Sequence, residues 1–358
     1  MKDYVSAKEA AKKWNISQRR VAVLCAENKI ECAEKVGNMW LIPKRAIKPA
    51  DRRVFKAEND NIGKAKPFLK WAGGKGQLLT EIRSKYPAGL GKSIKKYAEP
   101  FVGGGAVLFD VLSNFNFDEV YISDVNDELI NTYIMVRDNV NKLMQALEIM
   151  GNEYLPLEQE KRKDYYLKKR ERYNYLKTCG DQLTEIEKAA LFIFLNKTCF
   201  NGLYRVNKKG QYNVPMGAYK NPKICDKQNL LVISQLLQNV NIVCKDYRES
   251  ASFIDDSTFV YIDPPYRPLT KTAGFTAYTT TLFDDKAQEE LADYVTLIDK
   301  KRAKVVVSNS DPKNINEYDE FFDELYSKHK INRIEASRMI NSNGNARGKI
   351  SELLISNF

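Results

Sequence analysis

Between Thr258 and Ile262 the chain reads Thr-Phe-Val-Tyr-Ile, and the next four residues are Asp263-Pro264-Pro265-Tyr266. An apolar run without alternation reads as a strand buried on both faces, as in a parallel sheet. Two consecutive prolines cannot continue a ladder, so the chain must break sharply at the strand's carboxyl end. The break exposes one carboxylate, two carbonyls without neighbouring N–H donors, and an aromatic face. That set suits a flat heterocycle carrying an exocyclic amine: Asp263 and the Pro264 carbonyl accept from the NH2 group while Tyr266 stacks on the ring. A strand-to-Asp-Pro turn is common by itself, and the rest of the chain has to say what it holds.

The surrounding pattern alternates. A strand ends at Glu99, a glycine turn follows, a helix starts near Ala106, and a strand from Glu119 to Ser123 ends in Asp124. Later come strands at Asn241–Cys244 and Thr258–Ile262, a helix around Asp285 to Lys301, the strand Lys304–Ser308, and a closing pair near Ile331–Ala336 and Glu352–Ser356. Strands alternating with helices predict an α/β, Rossmann-like doubly wound sheet. The basic, tyrosine-rich stretch from about 130 to 225 does not fit this rhythm and is expected to be an inserted lobe, helical with a β-hairpin.

Residues 1–50 read as a separate module. Ser6-Ala7-Lys8-Glu9 is a capping box opening a helix through Trp14, and Ser17 can cap a second helix carrying Arg19 and Arg20. Glu31–Val36, Gly37-Asn38 and Met39–Ile42 predict a hairpin. The stretch resembles the small winged helix-turn-helix domains of the excisionase and MerR type, including the Gly37 to Pro43 run. That resemblance puts Ser17–Cys25, with Arg19 and Arg20, in a DNA major groove; a protein-contact module of the same shape is the other reading. Residues 51–66, polar and aperiodic, are the expected linker, and 67–358 the main domain.

Composition narrows the chemistry. The 358 residues carry a formal net charge of +11, with 20 tyrosines and 16 phenylalanines interleaved, which favours nucleic acid as partner. No run of 18 apolar residues and no signal peptide occurs, so a cytoplasmic location and no membrane contact are expected. The six cysteines have no metal-ligand spacing, and no metal is expected. The single histidine, His329, lies in Ser327-Lys328-His329-Lys330 and reads as a solvated surface residue. Its scarcity removes Ser-His-Asp, Cys-His and His-metal chemistry, leaving carboxylates, backbone and a cofactor.

The turn Glu99-Pro100-Phe101-Val102-Gly103-Gly104-Gly105-Ala106 lets backbone approach a ligand, and Asp124, about twenty residues on, can accept from both ribose hydroxyls. Nicotinamide dehydrogenases use a similar layout, but Leu108 stands where their third glycine would be. Glu99 can meet a cofactor's positive end, which favours S-adenosylmethionine. Upstream, Phe68-Leu69-Lys70-Trp71-Ala72-Gly73-Gly74-Lys75 lacks phosphate-loop spacing.

These three motifs in this order resemble the Dam-type DNA adenine-N6 methyltransferases of the alpha order, over about Pro67 to Phe358. The resemblance continues through Asn196-Lys197-Thr198-Cys199-Phe200-Asn201-Gly202-Leu203-Tyr204-Arg205-Val206-Asn207, Gly210 and Asn213-Val214-Pro215, the family's target-recognition segment. It implies Asp263-Pro264-Pro265-Tyr266 as the catalytic turn, and Trp71, Lys75, Glu99, Phe101, Gly103, Gly105, Asp124, Asp246, Tyr247 and Asp263 around the cofactor. On DNA it implies Lys70 at an outer guanine, Phe200 and Asn201 as the wedge beside the vacated base, and Leu203, Arg205 and Pro215 in the major groove. In the blander reading Phe200 is core and Arg205 a phosphate contact. Arg338 and Arg347 are expected to support DNA or the sheet edge.

The expected activity is thus site-specific adenine methylation of double-stranded DNA within GATC, as the modification part of a restriction-modification system whose cognate endonuclease acts separately, by a monomer or weak dimer. Pro215-Met216-Gly217-Ala218 lacks a basic residue common in GATC enzymes, so a different target site stays open, as does a DNA-binding regulator with a vestigial methyltransferase domain. A cytosine-C5 enzyme is excluded by the absence of Pro-Cys.

Overall fold

A computed structural model describes the chain except for residues 1–3, 15–16, 27–29, 31, 38, 45, 47–64, 179–183, 268–282 and 338–348. It divides into two units, Met1–Gly63 and Lys64–Phe358, with the division inside the expected linker. Most of that linker, together with Arg338 and Arg347, lies outside the described residues.

In the first unit Ser6 and Glu9 close the capping box reciprocally. The Ser6 N–H donates to Glu9 Oε2 at 2.8 Å, and the Glu9 N–H donates to Ser6 Oγ at 3.2 Å. Helices Ala7–Trp14 and Gln18–Ala26 follow. Strands β1 (Tyr4–Ser6), β2 (Glu34–Val36) and β3 (Met39–Pro43) form an antiparallel sheet with β3 central. The hairpin is as expected, except that β2 begins at Glu34. Strand β1 was not legible, because three residues carry no period. Ala10, Trp14, Val21, Leu24, Cys25 and Ile42 make this unit's core.

The second unit is built on a seven-stranded sheet. Its strands are β4 (Lys96–Glu99), β5 (Glu119–Asp124), β6 (Val240–Cys244), β7 (Thr258–Ile262), β8 (Lys304–Ser310), β9 (Lys330–Ser337) and β10 (Lys349–Ser356). Their order is β6-β5-β4-β7-β8-β10-β9; the first five are parallel, and β10 runs antiparallel to both its neighbours. All five β7 residues are buried. Phe259 and Tyr261 enter one apolar cluster, Val260 and Ile262 the other, so each face of the strand has its own core. The helix Asp285–Lys300 packs Leu291, Val295 and Ile298 into the second cluster. The helices Val140–Tyr154, Gln159–Thr178 and Glu185–Thr198 pack Leu147, Tyr166, Tyr173 and Phe194 into the first, continuous with the sheet face.

Strand order reverses direction between β4 and β7. The carboxyl ends that flank such a reversal leave a crevice, the usual ligand position in open α/β sheets. Here those ends carry Glu99, Asp124 and Asp263. No described helix is long and apolar enough to cross a membrane.

Candidate active site

A cleft of about 1240 Å³ opens at that reversal, lined by Trp71, Lys75, Glu99, Phe101, Gly103, Gly105, Asp124, Asp246, Tyr247 and the Asp263–Tyr266 turn. All the expected cofactor and catalytic residues therefore meet in one place.

The glycine turn forms the cleft's floor. Gly103 and Gly105 have positive φ, and a Cβ on Gly105 would fall 2.4 Å from the Tyr133 hydroxyl. That hydroxyl donates to the Gly103 carbonyl at 3.1 Å, fixing the turn. Asp124 accepts from the Gly103 N–H (3.2 Å) and the Asn126 N–H (3.0 Å), tying β5's end to the same turn. Burial raises its pKa, and these N–H groups oppose the rise. Glu99 is buried, and Tyr97 donates to its Oε2 at 2.6 Å. Burial pushes its pKa well above the carboxylate range, the Tyr97 hydrogen bond lowers it, and the Asp263 charge raises it again.

In the same turn Phe101 stacks on Tyr247, centroids 5.2 Å apart and planes at 26°, with Phe283 edge-on. Asp246 is a clamped group: Arg248 donates to both its oxygens, at 2.8 and 3.2 Å. The pair leaves the Asp246 pKa lowered despite burial.

The Asp263–Tyr266 turn is braced from several elements. Ser308 donates to Asp263 Oδ1 at 2.8 Å, and Tyr261 to Ser308 Oγ at 3.2 Å. Gln288 donates to the Pro265 carbonyl at 3.1 Å and is held in turn by Asn309 at 3.0 Å. Tyr266 donates to Glu352 on β10 at 2.6 Å. The sequence reading missed Ser308, Asn309, Gln288 and Glu352; its one available signal was a Ser-Asn pair directly after the apolar Val305–Val307 run.

Lys75 lines the cleft and also engages the Asp263 turn. Its buried ammonium lies 2.8 Å from Asp263 Oδ1, donates to the Gly73 carbonyl at 2.9 Å, and sits 4.4 Å from the Tyr266 ring centroid. One Asp263 oxygen thus carries Lys75 and Ser308, and among the described residues Oδ2 is left to accept from a ligand. The face of Tyr266 meets an ammonium where the sequence reading put a stacked base.

The Asn196–Pro215 segment, expected to read DNA, also forms a defined structure. Phe200 is 52% exposed, and Asn201 has left-handed backbone at φ 55°. Buried Asn196 accepts from the Lys70 N–H at 2.8 Å and donates to the carbonyls of Lys70 (2.7 Å) and Gly202 (3.0 Å). It therefore joins the Lys70 loop to the Phe200–Asn201 turn, a role hidden in a mostly apolar helix sequence. The Lys70 ammonium sits 4.0 Å from the Tyr219 ring centroid, and burial followed by the Lys70 charge brings the Lys197 pKa down to about 8. Arg205 is exposed beside Asn213, donating to its Oδ1 at 2.8 Å. The expected ribbon is less regular than a ladder. Val206 and Tyr212 make an isolated bridge, and the Asn207 side chain accepts from Lys209 and Gln211 N–H groups to fold the Lys208–Gly210 tip. Leu203 is half-buried and Pro215 exposed.

Arg19 is exposed on the helix Gln18–Ala26, and the Arg20 side chain lies outside the described ones. His329 corrects the reading of a solvated surface residue. Its side chain is 8% exposed, packed edge-on against Tyr326, with neither ring nitrogen hydrogen-bonded among the described residues. The turn just before β9, closed by the His329 N–H donating to the Tyr326 carbonyl at 2.8 Å, carries it inward, which its charged sequence neighbours concealed.

The cleft fits S-adenosylmethionine on its own geometry. It offers a glycine turn whose backbone lines the cleft, a buried acid for a cationic group, an acid at the next strand end for ribose, and a stacked aromatic pair for adenine. Residues 71–340 match the D12 class N6 adenine-specific DNA methyltransferase family. The chain is 49% identical over 295 residues to the Type II methyltransferase M.MjaIII of Methanocaldococcus jannaschii, spanning 82% of this chain and 99% of that protein. It is 38% identical over 295 residues to the Type II methyltransferase M1.LlaDCHI of Lactococcus lactis subsp. cremoris, at 82% and 95% coverage. To the DNA adenine methylase of Escherichia coli K12 it is 34% identical over 291 residues, at 81% and 95% coverage. The chain belongs to the D12 class of N6 adenine-specific DNA methyltransferases, enzymes that transfer a methyl group from S-adenosylmethionine to adenine N6 in double-stranded DNA.

Proposed function

We propose that this enzyme methylates adenine within GATC on a base flipped out of the duplex, as the modification part of a restriction-modification system, and that its first unit is a winged helix-turn-helix that adds DNA contacts. The observation that carries the catalytic part is Asp263 Oδ2, unengaged among the described residues and followed in the chain by the Pro264 carbonyl, at the end of a strand whose turn is braced by Ser308, Gln288 and Glu352. Two acceptors so placed take the two hydrogens of an adenine amine and favour the pyramidal nitrogen that develops in the transition state. The bound donor supplies an electrophilic methyl on a sulfonium. Glu99, Phe101, Gly103, Gly105, Asp124 and Tyr247 hold it, with Trp71 as a side wall. Because both partners are held by braced groups, positioning carries most of the acceleration, and no histidine is required.

Adenine N6 is out of reach in a stacked duplex, which requires flipping. Exposed Phe200 and left-handed Asn201 are built as a wedge, and Tyr266 receives the base once the Lys75 ammonium moves off its face. Arg205, Leu203 and Pro215 read the major groove, with Lys70 on the outer guanine. The restriction-modification role is supported by relatives named Type II methyltransferases, and the first unit's role by exposed Arg19 on its second helix.

Plasmid DNA treated with the enzyme and S-adenosylmethionine should become resistant to a methyl-blocked GATC endonuclease and sensitive to a methyl-dependent one. Asp263→Ala should lose at least ~10²-fold in turnover, the scale for removing one preorganised polar group at a reacting centre. Methylated plasmid with an unchanged GATC digestion pattern would refute the target site; a fully active Asp263→Ala would refute the catalytic assignment.

A further inference from the structure

The helix Gln159–Thr178 has the composition of a solvated basic face, yet side chains at 166, 170, 174 and 177 grip the main chain of one segment. Tyr166 and Arg170 donate to the Val214 carbonyl at 2.8 and 3.2 Å. Asn174 donates to the Tyr212 carbonyl at 3.0 Å and accepts from its N–H at 2.8 Å. Lys177 donates to the Gly210 carbonyl, at the hairpin tip, at 2.7 Å. Spacings of three and four residues put these groups on one helix face, so the helix splints the recognition segment.

Lys177 has a second partner that leads elsewhere. It pairs with Glu128 Oε1, and both side chains are mostly buried, 17% and 13% exposed. Glu128 lies in the first turn of the helix Asp127–Asp138, four residues after Asp124. Its Oε2 accepts from the Tyr204 hydroxyl at 2.5 Å. The Tyr204 ring stacks on Trp71, centroids 5.8 Å apart and planes at 23°. Trp71 in turn lies so close to the glycine turn that a Cβ on Gly103 or Gly104 would come within 3.0 Å of it. A contact chain therefore runs from hairpin tip to donor cleft, and its one carboxylate joins the two halves.

We propose that Glu128 is a positioning residue that couples the recognition hairpin to the donor cleft, so that duplex and methyl donor each tighten the other's binding. This rests on the reading of the Arg205–Asn213 hairpin as the DNA reader. A mostly buried pair resists separation, because breaking it strands a charge away from water, so a shift of the tip moves Glu128 and with it Tyr204 and Trp71. The coupling has to be reciprocal.

The test uses the full chain with S-adenosylhomocysteine as an unreactive probe, measuring its Kd alone and with saturating GATC or scrambled duplex. In the parent, GATC duplex should tighten the probe by about fivefold or more, the lower range for coupled sites. Lys177→Met should bring that factor close to one in a protein that still folds but melts at a lower temperature, because Glu128 is left unpaired, and Lys177→Arg, which keeps charge and donors, should restore both the factor and the melting temperature. Tyr204→Phe, which removes one hydroxyl, should also lower the factor and decides the matter should Lys177→Met fail to fold. Parent protein that discriminates GATC but shows no coupling, or variants that keep it fully, would overturn the proposal and leave the hairpin reading standing. If the parent binds both duplexes alike and Arg205→Ala changes nothing, the hairpin reading fails first and takes the proposal with it.

Discussion

Glu99 is held in place before its charge is compensated. Burial favours its neutral form in the folded protein, more than the Tyr97 hydrogen bond favours the carboxylate. A carboxyl whose folded pKa is raised contributes stability below its unfolded value, and loses that contribution as pH rises through the folded value. The free enzyme should therefore lose stability on this account as pH rises above the ordinary range near 4.5. Glu99→Gln should flatten that slope and raise the neutral-pH melting temperature, since every tenfold difference in proton affinity between the folded and unfolded chain is worth ~1.4 kcal/mol. The same change should weaken donor binding, because the buried acid is then absent. Thermal unfolding across pH 4–9 with a parallel donor titration checks both; an unchanged slope with intact folding would contradict the assignment. At this scale the sequence was most legible where an acid terminates an apolar run, as at Asp124 and Asp263, because the strand's end fixes the carboxylate's position. Glu352 was not legible, since its partner Tyr266 lies 86 residues away and the pairing exists only through sheet order.

Among elements, the recognition segment and its splint divide basic residues into two kinds that composition cannot separate. Arg170 and Lys177 serve main-chain carbonyls, whereas Lys161, Lys163 and Lys168 on the same helix are exposed. Arg205→Ala should relax base discrimination by ~1–3 kcal/mol for each bidentate guanine pairing it removes. Alanine at Lys161, Lys163 and Lys168 should instead weaken cognate and scrambled duplex alike, and reduce the salt dependence of binding. Competition binding at two salt concentrations separates these outcomes. Equal weakening on both duplexes for Arg205→Ala would mark it as a phosphate-binding residue. The motif residues of this segment were legible from their family resemblance. The splint was not, because an inward polar stripe on a helix looks in sequence like any solvated face.

For the whole molecule, the division at Gly63 leaves every residue of the donor cleft and the catalytic turn within Lys64–Phe358. Deleting residues 1–63 should preserve methyl transfer while lowering DNA affinity, with the salt slope falling by ~0.9 for each phosphate no longer neutralised. Turnover abolished in a protein that melts normally would show that the first unit contributes to chemistry. The sheet order carries a further consequence, in time. Strand β10 lies between β8 and β9, and it brings Glu352 to the hydroxyl of Tyr266 while Lys75, from near the start of the unit's sequence, reaches Asp263. On a ribosome adding about 5–20 residues per second, roughly a quarter of a minute to a minute separates the emergence of Lys75 from that of Glu352. On the proposed assignment of the Asp263–Tyr266 turn, a nascent chain can form most of its donor pocket before its target-base pocket is braced, and newly made enzyme should begin to mark DNA only once β10 has paired.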